Sequence, residues 1–185
     1  MDHLGIVAGV IKDLKMIEMI DERLGTYFGS TLSAGETVAG MIINGLGFSG
    51  KPLSLTPLFF ENCPVKQLFR EGVNADDFNR FKLGRVLNRC HGYGIELLFS
   101  EIALNVCRQE QVNTRFNSED TTSFTLSGDY PTETDNDTVT DNDTVEIKQG
   151  YSKDHRPDLK QVMLEMMVSQ DGGIPCCFFD LDFCR

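Results

Sequence analysis

Asp120 is the residue whose type and setting point most directly to chemistry, because it stands with Glu119 at the start of a β-branched stretch, Thr121-Thr122-Ser123-Phe124-Thr125-Leu126. A carboxylate at that position projects from a strand toward a site, and its hard oxygens suit divalent cations. Successive side chains in an extended chain point to opposite faces, so Glu119 and Asp120 do not clamp one ion together. A two-metal centre of the kind that cuts or joins phosphodiesters needs further carboxylates from elsewhere in the chain.

Three other groupings carry weaker chemistry. Gly45-Leu46-Gly47-Phe48-Ser49-Gly50-Lys51 has phosphate-loop spacing, but Pro52 stands where a magnesium-binding hydroxyl belongs. The stretch also follows a helical pattern instead of a strand, and so is expected to be a helix-ending turn. Asp135, Asp137, Asp141, Asp143 and Glu146 fit positions 1, 3, 7, 9 and 12 of a calcium loop, yet Val139 cannot ligate at position 5 and Thr140 replaces the turn glycine at 6. A solvated acidic loop is the expectation there. His3, His91 and His155 lack partners at metal-binding spacing, and Cys176-Cys177 with Cys184 has no zinc pattern. With no secretory signal at Met1-Asp2-His3-Leu4, the six cysteines are expected as free thiols in a cytoplasmic protein. No apolar run approaches the ~20 residues of a membrane helix, so no membrane partner is expected.

The elements that position these residues change character along the chain. Ile6, Val7, Val10, Ile11, Leu14, Ile17, Ile20 and Leu24 recur at spacings of three and four, which predicts two short helices or one bent one ending at Gly25. Ser33 and Glu36 form a capping box ahead of a helix over 34–45. Pro52, Pro57 and Pro64 limit 53–60 and 65–70 to short helices. Asp76 or Asp77 is expected to cap a helix running through Phe78 to about Gly92, followed by an amphipathic helix over 95–108. The period then shifts. The stretches 121–126, 145–148, 162–168 and 174–179 read as strands, expected as an antiparallel meander with an acidic insertion in its first hairpin. The pattern divides the chain into an all-helical part, 1–110, and a strand part, 111–185, which makes the fold class α+β.

Several strings add a resemblance to this reading. Ser118-Glu119-Asp120-Thr121-Thr122-Ser123-Phe124, Ser127-Gly128-Asp129-Tyr130, the long run from Gly150-Tyr151-Ser152 to Leu159-Lys160-Gln161, and Asp171-Gly172-Gly173-Ile174-Pro175 closely resemble transposases of bacterial insertion sequences with an Asp-Asp-Glu triad. Asp2 to Val7, Ala39 to Phe48 and Lys82-Leu83-Gly84-Arg85 look like the helical domain of unknown function that precedes the catalytic core in one subgroup. The resemblance implies that 111–185 begins a ribonuclease-H-like core, with Asp120 as first aspartate, catalytic and metal-binding, and magnesium as cofactor. DNA at the element's ends, and possibly an intact transposase, would be its partners. The second aspartate and the glutamate have no counterpart here, and from Cys176 onward the sequence resembles read-through into another frame. The expectation is a truncated, inactive transposase. The alternative is a non-enzymatic module that binds DNA or transposase and regulates transposition.

The charge pattern bears on that alternative. The net charge of -11 argues against a DNA-coating protein. However, residues 1–110 hold 11 basic and 13 acidic residues (net -2), 111–148 hold 2 and 9 (net -7), and 149–185 hold 4 and 6 (net -2). Most of the acidity lies around a tandem hexapeptide, Thr134 to Val139 and Thr140 to Val145, in a surface loop expected over 131–146. The helical part is near neutral, and Lys12, Lys15, Arg80, Lys82, Arg85 and Arg89 are candidates for a basic face on it.

Overall fold

The computed structural model describes residues 2–25, 29–47, 50–126, 148–149 and 158–181. The chain divides into two compact units, Met1–Gln109 and Glu110–Arg185. Helices in the first and antiparallel strands in the second make the protein α+β.

The apolar stripe near the N-terminus becomes two helices, α1 (Asp2–Asp13) and α2 (Met16–Leu24), because Lys15 at φ 53° breaks the helical ladder between them. Of the predicted stripe, Ile11 and Ile20 are buried, but Ile6 stays 70% exposed. The inward face of α1 is Leu4, Val7, Ala8 and Ile11, one position around from the predicted line. Next comes α3 (Ala34–Leu46), the helix on which the unit is organised. Ser33 Oγ accepts from Glu36 N at 3.0 Å and Ser33 N donates to Glu36 Oε2 at 2.9 Å, the reciprocal box expected from sequence. Asp21 of α2 satisfies a further orphan donor, Gly35 N, at 2.7 Å. At Gly35 a Cβ would sit 2.2 Å from Ile17 O, so the missing side chain is what lets α2 and α3 approach so closely.

The prolines divide the next segment as expected, into a 3-10 turn (Leu53–Leu55), α4 (Thr56–Phe60) and α5 (Val65–Leu68). The helix expected from Asp76 or Asp77 is instead two pieces. Asn74 opens a 3-10 turn, Ala75–Phe78, and Asn79, in extended geometry, caps α6 (Arg80–Tyr93) through Oδ1 to Lys82 N. The break leaves Phe78 fully buried while Phe81, three residues on, is 65% exposed. After Gly94 at φ 100° comes α7 (Ile95–Gln109).

Two cores result. One gathers Ile11, Leu32, Ile43, Phe60, Val73 and Phe78 around an aromatic cluster, with Phe60 4.5 Å from Phe78 and 4.9 Å from Phe59 between ring centroids. The other joins α2, α3, α6 and α7 through Ile20, Ala34, Val86, Cys90 and Leu98.

In the second unit, β1 (Asn117–Leu126) pairs along its whole length with β3 (Lys160–Ser169), from Asn117 opposite Ser169 to Leu126 opposite Lys160. The expected hairpin between the first two strands is therefore corrected. The two residues of β2 (Lys148–Gln149) pair with β3, and β4 (Pro175–Leu181) also pairs with β3. Since β1 fills one edge of β3, both others share its remaining edge. Ten matched residues outweigh a two-residue ladder, and sequence patterning gives no information on which strand a neighbour chooses. The β3–β4 turn uses Gly172 and Gly173 at φ 79° and 65°, conformations that side chains disfavour. Among the described residues every buried hydrophobic side chain lies between Ile11 and Cys107, whereas the sheet buries only Gln161 and Ser169. Also among these residues, no helix is long and apolar enough to cross a membrane.

Candidate functional site

Asp120 lies on β1 opposite Met166 of β3. Residues paired across a ladder share a face and alternate residues return to it, so Asp120 stands with Ser118, Thr122, Leu164, Met166 and Val168. It is exposed, and its Oδ1 accepts from the next backbone amide, Thr121 N, at 2.9 Å.

Glu119 falls on the other face, as the alternation of an extended strand requires. There it meets a residue that sequence reasoning did not single out. Glu119 is opposite Met167 and Glu165 is opposite Thr121, which sets the two carboxyl groups on one diagonal of the β1–β3 pair. A hydrogen bond with Glu119 raises the Glu165 pKa above its ordinary value, aided by desolvation and by the like charge. Cys177 of β4 is opposite Met167 on the same face, and its thiol pKa is raised by desolvation first, then by Cys176, Glu119 and Glu165. The lone charge inside Val162-Met163-Leu164-Glu165-Met166-Met167-Val168 was the available sequence signal, but only the register reveals its partner.

The register places Asp120 of β1 and Asp180 of β4, opposite Leu164, on one face of the sheet, and Glu119 and Glu165 on the other. Among the described residues, no three His, Cys, Asp or Glu side chains group as metal ligands.

The basic residues of the helical unit divide into two kinds. Lys82 Nζ donates to Ser30 Oγ and Leu32 O, and Arg89 donates to Leu24 O and to Gly25 O. Arg89 therefore binds the carbonyls at the C-terminal end of α2, while Lys82 ties down the turn before α3, where Leu32 O also accepts from Ser30 Oγ at 2.7 Å. Lys82 has its pKa lowered by desolvation and by the neighbouring Arg85 and Arg89. Arg80 and Arg85 are exposed, with the Arg80 guanidinium 4.8 Å from the centroid of the Phe81 ring and Arg85 Nε donating to Phe81 O at 3.1 Å. Lys12 and Lys15 are exposed at the α1–α2 junction. Of the six basic residues expected on one face, Lys82 and Arg89 are thus tied to the chain around the α2–α3 connection, while Lys12, Lys15, Arg80 and Arg85 are exposed.

The remaining groupings resolve simply. Gly45 and Leu46 end α3 and Gly47 is its cap, so the stretch resembling a phosphate loop begins as a helix terminus; Phe48 and Ser49 lie outside the described residues. The buried Asn44 side chain, donating to Lys51 O at 3.3 Å, ties the return of the chain to that helix. His91 is exposed in the last turn of α6. Cys63, Cys90, Cys107, Cys176 and Cys177 are free thiols. The acidic repeat at 131–146, His155 and Cys184 lie outside the described residues.

Fold and site together define an α+β protein in which a helical unit with its own two cores precedes an antiparallel sheet bearing the candidate carboxylates. The domain of unknown function DUF4277 matches residues 1–104, more than half of the chain, and the protein belongs to that family. No curated protein and no solved structure matches the sequence.

Proposed function

We propose that this protein derives from an insertion-sequence transposase of the Asp-Asp-Glu type, its sheet being the first strands of a ribonuclease-H-like core and Asp120 the first aspartate of the triad. The observation that carries the reading is the position of Asp120 in the first strand of an antiparallel sheet that begins directly after the helical unit. The family-like strings around Asp120 and from Gly150 to Gln161 support it. Magnesium is the cofactor this reading implies, DNA ends the substrate, and the cytoplasm its place of action. The second aspartate and the glutamate of the family pattern have no counterpart in the sequence, so the proposal assigns no catalytic step to this chain and expects no strand cleavage from it. A strand-transfer assay with magnesium and duplexes carrying the element's terminal repeats tests this. Cleavage that disappears in Asp120→Ala would refute the inactivity and support the assignment of Asp120.

A second reading is favoured by the charge on α6, which holds Arg80, Lys82, Arg85 and Arg89 and no acidic residue. Here the chain acts without chemistry, by binding DNA or an intact transposase and so regulating transposition. Gel shifts at low and high salt separate the two modes, since binding through phosphates weakens steeply as salt rises. Capture of transposase that persists at high salt, without a DNA shift, favours the protein partner.

A further inference from the structure

We propose that the outer face of α6, formed by Arg80, Phe81, Gly84, Arg85 and Asn88, is a docking surface for duplex DNA. The inference rests on reading the protein as one that acts on DNA, and it assigns that contact to a particular surface.

Charge complementarity is the first argument. Among the described residues, neither Arg80 nor Arg85 forms an ion pair with a carboxylate. The carboxylates nearest the inner side of α6 are already engaged, Glu36 by Arg70 and Ser33 N and Asp21 by Gly35 N. Lys82 and Arg89 add two further cations on the same helix, Lys82 donating to Ser30 Oγ and Leu32 O and Arg89 to Leu24 O and Gly25 O. The helix thus carries four basic residues and no acidic one, and its Arg80 and Arg85 side chains are exposed.

The second argument is Gly84. A glycine inside a helix is destabilising, and it is explained where a neighbour packs against it, as Ile17 does at Gly35 and Phe78 at Gly40. At Gly84 a Cβ would meet nothing within 4 Å, and its φ is not among the positive values. Among the described residues neither packing nor backbone conformation requires it; Gly9, Gly45 and Gly92 are equally open, and what sets Gly84 apart is its place amid exposed Arg80, Phe81, Arg85 and Asn88. A smooth position between Arg80, Phe81, Arg85 and Asn88 suits close approach by a partner.

The third argument is the kind of groups displayed. From Arg80 to Asn88 the helix rises about 12 Å, a length that a DNA major groove accommodates. Arg and Asn carry the paired donors and acceptors that read base edges, and arginine also binds phosphate. Phe81, 65% exposed, is held beneath the Arg80 guanidinium and presents a flat apolar surface beside it.

The test uses the 185-residue chain and a fluorescein-labelled mixed-sequence duplex of about 30 base pairs, followed by anisotropy between about 50 and 200 mM salt. Arg80→Gln/Arg85→Gln should weaken binding at low salt by about tenfold or more and reduce the salt slope by about two. Gly84→Gln, which adds bulk without charge, should weaken binding several-fold while circular dichroism shows the helices retained. Lys66→Gln, which removes an exposed lysine paired with Glu71, should change little. Parental binding that none of the α6 variants alters would overturn this surface and leave the DNA reading intact. No binding by the parent at about 50 mM salt would overturn both. Poly-glutamate held as tightly as the duplex, and lost equally in the double variant, would identify an acidic protein partner and overturn duplex DNA.

Discussion

At the scale of single residues, Asp120 contributes little to folding. It is exposed on the strand and its described contact is with its own neighbour's amide, so Asp120→Ala should leave the unfolding free energy from urea titration within about 0.5 kcal/mol of the parent. A large loss of stability would mean that the residue is structural. Glu36 is the opposite case. Only 7% exposed, it accepts from Ser33 N and from Arg70 at 2.6 and 3.1 Å, while Arg70 also donates to Thr31 O at 2.7 Å. Asp120 was legible from sequence because its context, a carboxylate opening a strand, is local. Glu165 was not, because its partner lies about 45 residues away and is fixed by register alone.

At the scale of elements, the glycines of two helices make opposed predictions. Gly40→Ala on α3 would place a Cβ 2.3 Å from the Phe78 ring and should cost about 1–3 kcal/mol, read as a lower denaturation midpoint. Gly84→Ala on α6 meets open space and should raise the midpoint by up to about 1 kcal/mol. If both changes act in the same direction, the packing described for these helices is wrong. A pH effect ties α2, α6 and α7 together. Glu101 accepts from Arg23 Nε at 2.7 Å and Tyr93 OH at 3.0 Å, and the Arg23 hydrogen bond holds its pKa below the ordinary 4.5. A depressed carboxylate contributes stability above its unfolded-state pKa and loses it as pH falls through the folded value. The advantage of the parent over Glu101→Gln should therefore be full at neutral pH and vanish on acidification through that lower value. A difference independent of pH would remove the charge-assisted bond from the account.

At the scale of the whole molecule, stability is unevenly distributed. Both hydrophobic cores belong to the helical unit, while β1, β3 and β4 keep mostly half-exposed faces, and the sheet buries no hydrophobic side chain among the described residues. A small sheet without a covered face is marginal by itself. Amide hydrogen exchange should accordingly show the slowest amides in α3 and α6, with β1 and β3 exchanging much faster through local opening. Equal protection in strands and helices would contradict this. Phe60→Ala, which empties the centre of the aromatic cluster, should cost about 3–5 kcal/mol and melt the helical unit first.

The sequence by itself determined the features written in local spacing: the capping box at Ser33 and Glu36, the breaks at the prolines, the helical-to-strand change near residue 110, and the opposed faces of Glu119 and Asp120. Neighbouring residues decide these through propensity, hydrogen bonding and alternation. Only the tertiary structure decided that β1 pairs with β3, that Glu165 meets Glu119, that Asn79 separates Phe78 from Phe81, and that Lys82 and Arg89 turn inward while Arg80 and Arg85 face solvent. Those outcomes depend on which distant surface each element packs against, and a period of two or of 3.6 residues marks which face is apolar without naming the surface it meets.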